Sequence, residues 1–323
     1  MGPTIDSSQL TIGVDVGGTK IAAGLVAADG SVLATGTRQS PATQVEAVDA
    51  VIIELVTELR GQADGREVAG VGIGAAGFCD AEREHVVYAP NLAWRNEPLA
   101  SRISQQVGLP VVVENDANAA AWGEFRFGAA HDVSSAVVVT LGTGIGGGII
   151  IDNRLLRGTQ GFAGEIGHIE MKPGGRRCGC GLRGCWERYG SGTAIVHEAR
   201  EIATVAPANA HRLLELAGGD PQSITGPMVT KAALEGDDVA LDVMATVGEW
   251  IGKGLATLAA VLDPDVFVLA GGVAAAGDII RDPVVRTFER GLTARSHRRV
   301  AQIRMAELGV PAGFIGAADL ARI

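Results

Sequence analysis

Aromatic residues make up only 4% of this 323-residue chain, so its core cannot rest on ring packing and has to be built from smaller aliphatic side chains. Positive charge is also in deficit: 27 Lys and Arg stand against 37 Asp and Glu, and the net charge of −10 argues against a nucleic-acid surface. The apolar run from Ala136 to Ile151 is too short and too rich in glycine to cross a bilayer. Residues 1–10 hold no basic cluster followed by an apolar stretch, and Asp6 stands where a myristoylation signal wants Ser or Thr. The expectation is therefore a soluble, cytoplasmic protein. What is abundant is glycine, 46 residues of it, in a chain that is 47% hydrophobic. That composition reads as an α/β protein with many tight turns, and its length is too great for one hydrophobic core, so two domains are expected.

Cysteine is scarce too, and three of the four fall in one loop. Residues 164–187 read G-E-I-G-H-I-E-M-K-P-G-G-R-R-C-G-C-G-L-R-G-C-W-E. His168, Cys178, Cys180 and Cys185 offer one imidazole and three thiolates, a soft set that suits tetrahedral Zn²⁺ and leaves no open position for catalysis. A structural metal follows. The spacing is not that of a finger or ribbon, and the alternative is three free or disulfide-linked thiols in a glycine-rich loop. Disulfides fit poorly with no secretory leader in view and with the fourth cysteine, Cys79, far away in an apolar stretch, where it reads as a small core residue.

Two segments share one plan of β-rich run, glycine turn, second β-rich run and Asp-containing turn. Leu10 to Ala34 centres on D-V-G-G-T-K and ends at Asp29-Gly30; Ser135 to Gly158 centres on L-G-T-G-I-G-G-G and ends at Asp152-Asn153. Each reads as a hairpin pair whose first turn is stripped of side chains so that a phosphate can approach the backbone. A lone turn of this kind would be ordinary hairpin geometry; the repetition favours phosphate. Gly142, Gly144 and Gly147 match G-x-G-x-x-G, but a dinucleotide fingerprint must open a helix, and Gly148 to Ile151 read as a strand. Gly17-Gly18-Thr19-Lys20 lacks the earlier glycine of a Walker loop. Val48, Val51, Ile52, Leu55, Val56 and Leu59 predict an amphipathic helix closed by Gly61. Val68 to Gly74 and Val111 to Val113 predict buried parallel strands. A helix over Val239 to Leu262 leads into a strand, Val266 to Ala270, and a third glycine turn, Gly271-Gly272, placed for the adenine side of a nucleotide.

The predicted strand at Val111 runs into E-N-D-A-N-A-A-A-W-G-E, residues 114–124, an acidic and amide cluster at a strand end that opens a helix. Polar groups there face a binding crevice; the competing reading is that Asn115 or Asp116 only caps the helix. Taken in order, D-V-G-G-T-K, E-N-D-A-N-A-A-A-W-G-E, L-G-T-G-I-G-G-G, G-E-I-G-H, C-G-C-G-L-R-G-C-W-E and L-A-G-G-V resemble the ROK family (repressor, open reading frame, kinase) over essentially the whole chain. W-E-R-Y-G-S-G and Y-A-P-N-L-A-W are similar to its actinobacterial-type, ATP-dependent glucose kinases.

The resemblance implies an α/β, two-domain, actin-like ATPase (ribonuclease H-like) sugar-kinase fold with a cleft between domains: residues 1–118, with a C-terminal helix at about 313–323 packing back on them, and 119–312, carrying the zinc loop. It implies transfer of the γ-phosphoryl group of ATP to the 6-hydroxyl of glucose, with Asp116 as base. Asn115, Glu165, His168 and Glu187 would hold other hydroxyls, and Gly77 and Asn91 would line the pocket. Asp15, Gly17, Gly18, Thr19, Lys20, Gly142, Thr143, Gly144 and Gly272 would frame Mg²⁺-ATP. Phosphoryl transfer asks chiefly for positioning and charge neutralisation, so a base of ordinary Asp pKa can serve. The resemblance also implies a homodimer or homotetramer. The alternatives are a kinase for another hexose or N-acetylhexosamine, or a non-catalytic sugar-responsive regulator. The family's repressors place a DNA-binding module before the first glycine turn, where this chain has fourteen residues ahead of Asp15, and its acidic charge opposes DNA as well.

Overall fold

The computed structural model describes residues 9–323; the readings made on residues 1–8, Asp6 among them, lie outside the described residues. The chain opens with three strands, β1 (Leu10–Val16), β2 (Lys20–Val26) and β3 (Val32–Gln39), then α1 (Val45–Gly61) and β4 (Val68–Ala75). A small sheet follows, β5 (Phe78–Cys79), β6 (Val86–Tyr88) and β7 (Arg95–Glu97), then α2 (Leu99–Val107), β8 (Val111–Asn115) and α3 (Asp116–Phe127). The second series runs β9 (Ala136–Leu141), β10 (Ile145–Ile151), β11 (Arg154–Leu155), α4 (Glu187–Gly190), α5 (Gly192–Val205), α6 (His211–Leu216), α7 (Gly226–Leu234) and α8 (Asp238–Leu262). It closes with β12 (Val266–Ala270), α9 (Asp278–Gly291), β13 (Gln302–Met305) and α10 (Ala312–Leu320).

The duplication read from the sequence is present in the topology. One five-stranded sheet has the order β3-β2-β1-β4-β8 and the other β11-β10-β9-β12-β13, so the two lists match position for position. In the first, β1 pairs antiparallel with β2, and β1, β4 and β8 are parallel. The Asp-containing turns behave as their residues require: Gly30 has φ +84°, and Asp152 and Asn153 both adopt left-handed φ, as a two-residue hairpin between β10 and β11 demands. In α1 the buried face is Val48, Ile52, Leu55, Val56 and Leu59. Gly61 ends α1 without entering the left-handed region, so it is a last-turn residue and not the expected cap.

Internal packing divides the chain into two compact units. One holds the residues up to Val138, Gly148–Gly164 and Glu307–Ile323; the other holds Val139–Gly147 and Glu165–Ala306. The expected break after residue 118 thus differs from these units at α3, which packs on α10 within the first. α10 lies on β1, β4 and α3 with its backbone almost touching theirs. A Cβ at Gly13 would overlap the carbonyl oxygen of Phe314, one at Gly72 that of Ala317, and the Cβ of a residue at 316 would overlap that of Ala119. Gly13 and Gly72 are direct partners across β1 and β4. Buried Asp319 accepts from Trp122 Nε1 (2.8 Å) and Arg126 Nε (3.0 Å), and buried Glu124 accepts from the backbone N–H groups of Ala129, Glu307 and Leu308, fastening α3 at both ends of α10. Cys79 is fully buried, as expected of a core residue. In the second unit α8 and α9 pack closely where Gly248 and Gly252 face Pro283 and Val284. No helix among the described residues is long and apolar enough to cross a membrane.

Candidate active site and metal centre

In the first unit the polar groups gather at the carboxyl end of the parallel strands. Register places Asp15 beside Gly74, and Ala75 beside Asn115, so the ends of β1, β4 and β8 are level. Asn115 is both cap and something more. Its Oδ1 accepts from Asn118 N (3.0 Å), closing the first turn of α3, while its Nδ2 donates to Gly77 O and to Asp116 Oδ1, each at 3.1 Å. Asp116 Oδ1 also accepts from Ala117 N at 2.9 Å, which leaves Oδ2 without a bond to its neighbours on α3. A capping role for Asn115 and a fixed carboxylate at Asp116 are therefore two sides of one arrangement.

Desolvation pushes the Asp116 carboxyl up from 3.8 to about 6, against the bonds from Ala117, its own backbone and Asn115, which favour the charged form. The chemistry could be served by an ordinary carboxylate; the folded surroundings give a more basic one. Asp15 is raised to about 7, first by burial and next by the charge of Asp116, with Lys20 pulling the other way. Behind them sits Glu114, 1% exposed, a residue that sequence reasoning passed over. Its Oε1 accepts from Asn115 N and Asn118 Nδ2, and its Oε2 accepts from Arg157 Nε at 2.6 Å; Arg157 in turn donates to the carbonyls of Asp80 and Ala81. Glu114 and Arg157 lie 43 positions apart, and nothing local marks the pair.

The first glycine turn joins β1 to β2, with Gly17 N donating to Lys20 O. Thr19 and Lys20 are exposed beyond it, and a Cβ at Gly18 would press on Asn91, so the structure brings Asn91 to this turn. Gly77 has no room for a side chain against Tyr88 and Ala89, and its carbonyl serves Asn115.

The second glycine turn lies in the other unit, where Gly142 N donates to Gly144 O. The N-terminus of α5, capped by Ser191, meets it: Gly192 N donates to Gly142 O (2.8 Å) and the Thr193 hydroxyl to Thr143 O (2.6 Å). Amide donors and the positive end of a helix beside a bare turn suit phosphate. Neither Gly142 nor Gly144 adopts a left-handed φ. The turn therefore does not need glycine for its backbone angles; Gly142 faces open space, and a Cβ at Gly144 would meet only the tip of the Glu187 side chain. Next to the turn opens a cavity of about 810 Å³ lined by Thr143, Val196, Pro227, Lys231 and Gly272 among others. Gly271, at φ +88°, lies against the backbone of Leu141 and holds Gly272 at the rim. Lys231, Thr230 and Glu235 also line this cavity and carried no motif by which the sequence could have announced them.

The cysteine loop of the same unit gathers its donors as expected. The ligand atoms of His168, Cys178, Cys180 and Cys185 all lie within 4.8 Å of one another, with Cys180 Sγ 3.6 Å from Cys185 Sγ and Cys178 Sγ 3.6 Å from His168 Nδ1. Tetrahedral Zn–S bonds of about 2.3 Å would set sulfurs roughly 3.8 Å apart, so the cluster fits such an ion. With Nδ1 turned to the thiols, His168 Nε2 faces Glu165 Oε2 at 3.9 Å. Glu187 Oε1 accepts from Cys178 Sγ at 2.9 Å. The structure thus brings Glu165, His168 and Glu187 to the metal loop in one unit, and Gly77, Asn115 and Asp116 together in the other, with Asn91 at its glycine turn.

The ROK family model matches residues 11–323. A glucokinase of Streptomyces coelicolor is 48% identical over 313 residues, covering 97% of this chain and 98% of that protein. Among solved structures, a ROK family glucokinase from Streptomyces griseus in complex with glucose and AMPPNP is 49% identical, with a TM-score of 0.87 over 97% of this chain and 99% of that one. A ROK hexokinase from Thermus thermophilus is 32% identical, with a TM-score of 0.80 over 97% and 98%. The fold is the actin-like sugar-kinase fold of these proteins.

Proposed function

The chain belongs to the ROK family, and on that premise we propose that it is a glucokinase, transferring the γ-phosphoryl group of ATP to the 6-hydroxyl of glucose to give glucose 6-phosphate and ADP. The observation that carries the reading is the Asp116 carboxylate, held by Asn115 and the start of α3 at a strand end, in a chain so similar to glucokinases along nearly its full length. Asp116 accepts the proton of the 6-hydroxyl as that oxygen attacks, and its pKa of about 6 leaves it ionised at neutral pH and a stronger base than a free Asp. Asn115 keeps it oriented. Glu165, His168, Glu187 and Asn91 take the remaining hydroxyls, which suit short acceptors and amides.

On the donor side the two glycine turns, with Lys20 and the start of α5, receive the phosphates, and the apolar cavity at Gly272 takes the base. Mg²⁺ fits near Asp15, whose burial and whose neighbour Asp116, only partly offset by Lys20, make its anion costly and a cation welcome. Held there with ATP, the ion would supply neutralisation of the phosphate charge during transfer. The cysteine loop fits Zn²⁺ in a structural role, with His168 Nδ1 and three thiolates as ligands and Nε2, on the side of Glu165, left to meet a sugar hydroxyl. We place the enzyme in the cytoplasm as a homo-oligomer.

A coupled assay with ATP and a panel of hexoses tests the reading. Glucose is expected to show the highest kcat/KM, by about tenfold or more over mannose and N-acetylglucosamine, a margin set by hydrogen-bonded hydroxyls. A panel in which an N-acetylhexosamine leads would replace glucose as the substrate. Zinc removal gives a second test. Cys180→Ser, or chelation, is expected to remove about one zinc per chain by mass spectrometry, to lower Tm, and to weaken glucose binding by about tenfold or more, because the outer nitrogen of His168 loses its fixed direction. Unaltered glucose affinity in a zinc-free protein would leave the metal structural and cut its tie to the sugar.

A further inference from the structure

Glu114 stands directly before the Asn115-Asp116 pair, and each of its oxygens is held. Oε1 accepts from Asn115 N at 3.0 Å and from Asn118 Nδ2 at 3.1 Å, so it grips both the residue that caps α3 and the turn being capped. Oε2 accepts from Arg157 Nε at 2.6 Å. The other two nitrogens of that guanidinium donate to Ala81 O and Asp80 O, in the segment that follows β5 and begins a few residues beyond Gly77. The same segment is seated a second time. Gly161, at φ +91°, lies so close to Cys79 O that a Cβ would overlap it, and Phe162 meets Phe78 edge-on with ring centroids 5.3 Å apart. All of these residues belong to the first unit.

These bonds converge on Asn115. Glu114 holds its backbone N, while its Nδ2 donates to Gly77 O on one side and to Asp116 Oδ1 on the other. We propose that Arg157 is a positioning residue for the base: by joining Glu114 to the segment beyond Gly77, it fixes Asn115 and hence the direction of the Asp116 carboxylate. The proposal deepens the kinase reading given above and rests on it. The chemistry of the pair supports a role in direction. Glu114 is 1% exposed, and a buried ion pair adds little stability over apolar residues of similar volume, whereas its charge-assisted hydrogen bonds set an angle. Arg83 Nε, 3.5 Å from the same Oε2, answers the charge at longer range. What Arg157 adds is the link to the two carbonyls.

The test is a double-mutant cycle in kcat, measured at saturating glucose and ATP on the zinc-loaded protein. Arg157→Met is expected to lower kcat by about 30-fold while KM for ATP stays within about twofold, since a small misplacement of a reacting group costs rate more than donor binding. In an Asp116→Asn background the same change should lower kcat by less than about threefold, because a base already lost cannot be misdirected. Arg157→Lys keeps the charge but cannot span Glu114 and both carbonyls; it should lose about tenfold, with the same collapse in the Asp116→Asn background, and it carries the test if the Met variant does not fold. A full loss repeated in the Asp116→Asn background would overturn the proposal by making Arg157 a general support of the fold. An Arg157→Met kcat within twofold of wild type, or a loss confined to KM for ATP, would overturn it as well. A wild-type protein that phosphorylated no hexose would sink the kinase reading itself, a result distinct from additive losses in an active enzyme.

Discussion

Asp116→Asn is expected to lower kcat by about 10²-fold to 10⁴-fold, the usual contribution of a positioned acid or base, while glucose binding measured by calorimetry stays within about twofold. The amide keeps the Oδ1 contacts to Ala117 N and Asn115 Nδ2, so α3 starts as before and only the proton acceptor is lost. The wild-type pH profile carries the same signature. With its pKa raised from 3.8 to about 6, Asp116 takes up a proton as pH falls through about 6, and kcat/KM should drop tenfold per unit below that point. The variant's residual activity should lack this limb. Stability moves the other way. A carboxyl whose pKa is raised on folding contributes stability at low pH that is lost as pH rises from about 4 through 6. The Asn variant escapes that loss, so its Tm at pH 8 should equal or exceed that of wild type. A variant keeping more than about half of the wild-type kcat would remove Asp116 from the role of base.

The second large effect concerns stability. Gly72→Ala is expected to cost more than about 3 kcal/mol, the upper range for overpacking, because the new methyl group meets the carbonyl oxygen of Ala317 and no side chain can swing aside. Gly13, paired with Gly72 across the sheet, is under the same constraint from Phe314. Gly61→Ala is the control: it meets nothing within 4 Å and should gain roughly 0.5–1 kcal/mol from helix propensity. Urea unfolding of the three proteins decides the matter, and a Gly72→Ala loss below about 1 kcal/mol would mean that α10 can lift away at little cost.

What the sequence disclosed was local. Aliphatic periodicity located α1, β4, α8 and β12, and the glycine turns marked both hairpins and hence the duplicated sheets, because these signals lie within a few residues of what they build. The candidate metal donors were legible for the same reason: three of the four fall within eight positions. Pairings across long separations were hidden. Nothing local in the sequence pairs Glu114 with Arg157, or Glu124 with the backbone of Glu307 and Leu308, yet both carboxylates are buried in those pairings. Gly13 and Gly72 look like weak points in strands, and only the arrival of α10 explains them. The raised pKa of Asp116 could not be read from the sequence because desolvation is a property of the folded surroundings.

The seating of α10 has a consequence for how the protein is made. Arg322 donates to Gln9 O across 313 positions, and α10 fills a slot between elements formed from the first 127 residues. Translation at about 5–20 residues per second puts roughly 10–30 s between the emergence of Val138 and that of Glu307. For that interval β1 and β4 are on hand with the face meant for α10 bare, lined by glycine and small aliphatic side chains. Ribosome-stalled chains ending near residue 300 should accordingly be cleaved by protease in the first unit, and chains extended past residue 323 by a linker should resist. The first unit, begun earliest, is thus the last to be finished.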